Sequence, residues 1–223
     1  MHTQPVMPPI SASLRKIYIL LGAVYLVELV SRNFLGLPVD NFLWRSGDSV
    51  ASVSVLAHYL IQGNEPFNVL ISGLILLFFF PNFRLFSRRE QVQILGSLLI
   101  GGILTAAALS FLGLVGGVSY GWGNLTIGLV ALFGLRAPNA TISLFMIIPV
   151  RASLFVWGTG AATLFYLLAA PSMMNAERFG IFIGLLAWWH LMGPGARART
   201  LRARGRQIED KISHLSLVKP DWH

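Results

Sequence analysis

The chain has 223 residues, of which 55% are hydrophobic and 12% charged, with a formal net charge of +8. A water-soluble domain carries about 25% charged residues, so this sequence lacks a polar shell for water and its solvent is read as lipid. Zero cysteines exclude disulfides, thiolate chemistry and Cys-ligated metals, and the placing of most basic residues on short loops and the tail argues against nucleic acid.

Residues 1–14 hold three prolines and no charge other than His2, and Arg15-Lys16 then open the first apolar segment. That start resembles a signal peptide. No small-residue cleavage site follows, because the segment runs on through Glu28 and Arg32, so a retained first helix is expected. A membrane helix needs about 20 apolar residues, and six spans are expected at 17–36, 66–82, 92–115, 120–136, 152–170 and 177–193. The strongest signal is Gln91 to Leu135, 45 positions without a charge, divided only by a glycine-rich hinge from Val115 to Gly123. The fourth span is the shortest and the richest in glycine. Residues 37–65 form the one long loop, and its second half, Val50 to Ile61, is expected to lie on or in the membrane surface. The stretch 140–150 is apolar but too short to cross, and is read as an interfacial lead-in to the fifth span.

The expected fold is all-α: a polytopic six-helix membrane domain over 15–195, followed by a basic tail at 196–223. The positive-inside rule sets its orientation. With a cytoplasmic N-terminus, 14 basic residues fall inside (Arg15, Lys16, Arg84, Arg88, Arg89, Arg136, Arg151, Arg197, Arg199, Arg202, Arg204, Arg206, Lys211, Lys219). Three fall outside (Arg32, Arg45, Arg178). Both termini are therefore expected inside. The tail is either a topogenic stop signal or a contact with anionic lipid or a cytosolic partner.

Polar groups within spans are functional candidates. Glu28 stands four residues before Arg32, the spacing and order of a helical ion pair. A proton relay would need a second buried acid, and none is expected inside another span. His58 in the long loop is a candidate base or packing residue. His190, beside Trp188 and Trp189, reads as part of an interfacial aromatic belt. There is no HExxH, no paired carboxylate, no Walker-type loop and no ligand cluster, so neither metal nor cofactor is expected. Gly180 and Gly184 form a GxxxG that admits another helix, and Gly121, Gly123 and Gly128 in the fourth span make that span the expected partner.

Gly121 to Ala152 resembles the corresponding stretch of the rhomboid superfamily of intramembrane serine proteases and their inactive relatives, the derlins among them. The family shows there a GxSG, a short helix, a Pro-Asn-type turn similar to Pro138-Asn139, and a Pro-Val/Ile-basic step similar to Pro149-Val150-Arg151. Trp44-Arg45 is similar to the family's first-loop signature, Phe67-Asn68 to the start of its second helix, and the Gly180–Gly184 pair to that of its last core helix. The resemblance covers roughly residues 15–195 and implies a six-helix rhomboid-like bundle. Two positions depart from it. Counting back from Pro138, the nucleophile falls on Gly123, within Gly121-Trp122-Gly123-Asn124. Counting back from the glycine pair, the catalytic histidine falls on Glu177.

A serine nucleophile needs a base within reach, so proteolysis does not carry over at those positions. An alternative register reads Gly117-Val118-Ser119-Tyr120 as GxSx, with Ser119 a displaced nucleophile and His58 its base. Otherwise Ser119 is a cap or turn residue at the head of the fourth span. The resemblance implies a pseudoprotease that binds transmembrane segments of client proteins without cleaving them. Its polar depression would be lined by Gly121, Trp122, Gly123, Asn124 and Thr126, and Asn124, Thr126 and Asn68 would hydrogen-bond a client or one another. Compact loops suggest a bacterial plasma membrane.

Overall fold

The computed structural model describes residues 12–48, 53–61, 66–144 and 148–216. Residues 1–185 form one compact unit and 186–223 a second. The chain is mostly helical, and a helix forms within each of the six longer apolar runs of the sequence. In order come α1 (Ala12–Asn33), β1 (Trp44–Arg45), α2 (Ser54–Ala57), α3 (Pro66–Arg84), α4 (Arg88–Phe111) and β2 (Val118–Ser119). They are followed by α5 (Gly123–Arg136), β3 (Thr141–Leu144), β4 (Ile148–Arg151), α6 (Ser153–Ala169), α7 (Met173–Leu191) and α8 (Pro194–Ser216). Among the described residues, three helical runs are long and apolar enough to cross a membrane: α3, α4 and the run beginning at Met173. This is the construction of a membrane protein.

Local chemistry sets the ends. α4 opens on a capping box, in which the Glu90 amide donates to Ser87 Oγ at 3.3 Å and the Ser87 amide donates to Glu90 Oε2 at 3.0 Å. Each satisfies an amide that the first turn leaves without a partner. In α1 the Glu28–Arg32 spacing closes as an ion pair of 3.3 Å, with Glu28 buried. Arg136 ends α5, where a cation suits the helix dipole, and lies 4.6 Å from the centre of the Phe86 ring.

α5 is the centre of the first unit. Its 14 residues reach only about 21 Å at 1.5 Å per residue, less than a bilayer core of about 30 Å. Most of the helix is buried, including Asn124, Thr126, Gly128, Leu129 and Ala131 to Gly134. Phe133 meets Phe79 of α3 and Phe155 of α6 edge-on, at centroid distances of 5.5 and 6.4 Å.

The glycine pair of α7 packs on α4, not on α5 as the spacing suggested. A side chain at Gly184 would overlap the Ser97 carbonyl, and one at Gly180 the Gly101 carbonyl. Gly101 is the complementary gap on α4, so the two backbones touch. Gly128 of α5 makes room first for Leu98 of α4, 2.7 Å from where its Cβ would stand, and then for Ile181 of α7 at 3.3 Å.

One loop also differs from expectation. The segment around 140–150 is a β-hairpin rather than a lead-in, with Thr141 opposite Arg151 and Ile142 opposite Val150. β-branched residues favour that extended form. In the described second half of the long loop Val55, His58, Tyr59 and Ile61 are buried, while Val53, Leu56 and Leu60 are exposed. Residues 49–52 of that loop, the N-terminal 1–11 and the tail beyond 216 lie outside the described residues. In the second unit, the turn into α8 closes beneath two tryptophans: the Gly193 amide donates to the Trp188 carbonyl at 2.8 Å, and Trp188 is buried rather than standing in an interfacial belt.

Candidate functional site

The glycine-rich hinge is clamped on both edges. β1 pairs antiparallel with β2, setting Trp44 opposite Ser119 and Arg45 opposite Val118. The Ser46 amide extends this pairing to the Gly117 carbonyl at 2.9 Å. On the other edge the Met173 amide donates to the Gly116 carbonyl at 3.0 Å. Below, the Gly121 amide donates to the His58 carbonyl at 2.9 Å, with Gly121 at φ 94°, a left-handed conformation that suits glycine. Trp44, Val55, Ala106, Val115, Met173 and Ala176 pack beneath as an apolar cluster. Trp44-Arg45 thus holds the hinge.

That clamp brings together three residues that the sequence offered separately. Ser119, His58 and Glu177 have no exposed surface, and Asn124 is 1% exposed. The Ser119 hydroxyl donates to Glu177 Oε2. Asn124 Nδ2 donates to the same oxygen at 3.2 Å and lies 3.4 Å from Ser119 Oγ. His58 Nε2 faces both Glu177 oxygens at 3.2 Å, and its Nδ1 lies 3.1 Å from the Ser54 carbonyl. A carbonyl only accepts, so Nδ1 carries a hydrogen. Nε2 and Glu177 then share one further proton, either as imidazolium and carboxylate or as imidazole and carboxylic acid. The Tyr59 ring stacks 4.0 Å from that of His58, and burial, with Glu177 nearby, pushes its phenol well above its ordinary value of 10.0.

Several sequence readings change here. Glu177 is the second buried acid that no span was expected to hold. Ser119 caps no helix, since it belongs to β2 and α5 is capped by Trp122. His58 reaches Ser119 through Glu177 rather than directly. Chemically, the cluster is a serine hydroxyl on a carboxylate backed by an imidazole, sealed from solvent.

Beside it opens a small polar depression of about 60 Å³, lined by Asn68, Ser72, Tyr120, Gly121, Gly123, Asn124, Met174 and Arg178. Gly123 sits against Ser72, whose Oγ would stand 2.7 Å from a Cβ added there. Arg178 Nε donates to Asn124 Oδ1 at 2.9 Å and its Nη1 to Asn175 Oδ1 at 3.4 Å. Asn124 therefore has its amide nitrogen on Glu177 and its oxygen on Arg178. Trp122 and Thr126, expected on this depression, line instead an apolar crevice with Ile17, Leu21, Leu76 and Leu98. Thr126 is turned back on its own helix by a bond to the Gly123 carbonyl at 2.6 Å. Sequence reasoning passed over Ser72, Tyr59, Asn175 and Arg178. The signal for the last two was Asn-Ala-Glu-Arg at the head of an otherwise apolar helix, where three polar side chains within one turn call for a reason. The described residues hold no cluster of three or more metal-ligating side chains. Compared with known proteins, the chain matches no family model, no curated protein and no solved structure.

Proposed function

We propose that the chain is a rhomboid-like pseudoprotease of six spans with both termini cytoplasmic, which binds transmembrane segments of client proteins without cutting them. The observation that carries this reading is the contrast between the sealed Ser119 and the open depression next to it. A nucleophile must be reachable by its substrate, and Ser119 has no exposed surface. The depression has Gly123 where the family resemblance expects the serine; the hydroxyl beside that place belongs to Ser72, and no histidine is among the described lining residues to act as its base. Irregular backbone at membrane depth is tolerated where it lines a hydrated cavity, and the hinge from Gly116 to Gly121 fits that condition. α8 supports an accessory contact with anionic lipid, presenting exposed Leu201 and Ile208 on an arginine-rich helix. Compact loops favour a bacterial plasma membrane.

The test uses the full chain in liposomes, with a photocrosslinking residue at Asn68 and another at Phe78, which is exposed on α3 away from the depression. Crosslinks to synthetic single-span peptides from position 68 but not 78, with the peptides left intact, are expected. Equal capture at both positions rejects a site at the depression. A second reading follows from one specific bond, Ser119 to Glu177: a serine hydrolase with a carboxylate as base. A fluorophosphonate probe that labels the protein and fails on Ser119→Ala would establish it. No labelling is expected beside an active serine protease that reacts.

A further inference from the structure

A larger cavity, of about 450 Å³, opens where the loop around β1 meets α4 and the start of α7. It shares no lining residue with the polar depression, and its size falls within the range of about 300–1,000 Å³ usual for small-molecule sites. Leu104, Ala107, Ala108 and Phe111 of α4 form one wall, at the i, i+3, i+4, i+7 spacing of a single helix face. That face runs for about 10 Å, and Leu104 and Phe111 on it are exposed. The loop contributes Trp44, Arg45 and Asp48, so the cavity is hydrocarbon along α4 and charged at the loop.

Between the two lies an unpaired donor. Trp44 is 1% exposed, and its indole Nε1 has no hydrogen-bond partner. A buried indole N–H normally finds an acceptor, and one left without it costs free energy. The apolar cluster around the ring, Val55, Ala106, Val115, Met173 and Ala176, offers no side-chain oxygen. The cavity that Trp44 lines is the space from which an acceptor can come.

We infer that this cavity holds one glycerophospholipid, with an acyl chain along the Leu104–Phe111 face and an ester carbonyl accepting from Trp44 Nε1. The chain is built as a membrane protein, so lipid is the medium against that exposed face, and an acyl chain is as apolar as the leucine it lies on. A glycerophospholipid carries its ester oxygens between hydrocarbon and headgroup. Trp44 has the same intermediate place, next to Arg45 in the chain and packed in one cluster with Ala106 of α4. The headgroup is then left on the loop side. This site does not depend on the client-binding reading.

The experiment strips the detergent-solubilised full chain of lipid and titrates it with two phospholipids of identical chains and headgroup, one diester-linked and one diether-linked. Bound molecules are counted by native mass spectrometry. The diether lipid lacks the carbonyl. The unaltered chain is expected to hold one diester molecule about fivefold tighter than the diether, the worth of a neutral hydrogen bond. Trp44→Phe keeps an aromatic ring without the N–H and is expected to bring the diester down to the diether. Ala108→Trp, at an exposed position, fills the cavity, leaves Trp44 in place, and is expected to weaken both lipids about tenfold or more. Equal binding of the two lipids to the unaltered chain overturns the assignment and leaves Trp44 Nε1 to a water molecule. A diester preference that survives Trp44→Phe overturns it as well. So does undiminished binding to Ala108→Trp, which puts the lipid elsewhere on the surface, and so does failure to retain either lipid. The ester–ether comparison needs no variant, so a misfolded Trp44→Phe chain cannot hide the answer.

Discussion

Replacing Glu177 by leucine removes the shared acceptor of a wholly buried cluster. Two groups lose their partner at once, the Ser119 hydroxyl and His58 Nε2, while the Asn124 amide loses one acceptor and keeps the Tyr120 carbonyl at 3.3 Å. An unsatisfied buried polar group costs about 1–3 kcal/mol, so two set an upper bound of about 6 kcal/mol. The real figure is smaller, because Asn124 Nδ2 already lies 3.4 Å from Ser119 Oγ and can give that hydroxyl a partner. Breaking a buried pair by deleting one member typically costs about 3–5 kcal/mol, and that is the expected loss for Glu177→Leu. Glu177→Gln is the informative companion. Its carboxamide oxygen still accepts from Ser119 and Asn124, and its N–H can donate to a neutral His58 whose Nδ1 keeps the hydrogen on Ser54. The three neighbours stay satisfied and one carboxamide N–H is left over, so the expected cost is about 1–2 kcal/mol. The assay is reversible SDS-driven unfolding in mixed micelles, followed by tryptophan fluorescence. Glu177→Leu within about 1 kcal/mol of the parent would refute the reasoning, by showing that nothing depends on the acceptor. Glu177→Gln as damaging as Glu177→Leu would refute it differently, by showing that charge and not satisfaction holds the cluster.

Three further outcomes follow from the same geometry. Tyr59 has its phenol raised in the folded state, so its contribution is fully present below the unfolded value near 10 and is lost as pH climbs above that value. Tyr59→Phe is therefore expected to flatten the alkaline fall in thermal stability by up to about 1.4 kcal/mol per pH unit above about pH 10, read as melting temperature in detergent. Gly184→Leu must push α7 off the Ser97 carbonyl and is expected to cost about 3 kcal/mol or more, whereas Gly96→Ala, with open space around it, should gain up to about 1 kcal/mol. Gly123→Ser meets Ser72 Oγ and should cost about 1–2 kcal/mol in the same unfolding assay, and adding Ser72→Ala should return most of it.

How far the sequence could be read depended on the range over which each signal acts. Hydrophobic runs are local, so each expected span coincides with a helix, and the Glu28–Arg32 pair follows from a spacing of four. The glycines of α7 announced a close approach but not its partner, because any small residue on a facing helix would serve, and Gly101 of α4 supplied it. The hairpin at 141–151 was hidden because a short apolar β-branched run has the same composition on a membrane surface as in a ladder. His58, Ser119 and Glu177 were each visible as polar residues in apolar company. Nothing in the spacing of 58, 119 and 177 says that they meet, since that depends on which edges β1 and α7 present to the hinge. Arg178 went unnoticed for a related reason: in the sequence it only entered the charge count, and its bonds to Asn124 and Asn175 exist only once the heads of α5 and α7 come together.

The sealed cluster also bears on how the chain is made. His58 and Glu177 are 119 residues apart and Ser119 and Glu177 are 58 apart, so the acceptor is synthesised last. Until α7 arrives, His58 Nε2 and the Ser119 hydroxyl lack their acceptor carboxylate, while the Asn124 amide has only the Tyr120 carbonyl. A chain halted after α6 therefore holds two polar groups short of their partner in an apolar surround, a state that costs several kcal/mol. Entry of one carboxylate closes both together, which makes completion of this protein a single late event rather than a gradual one.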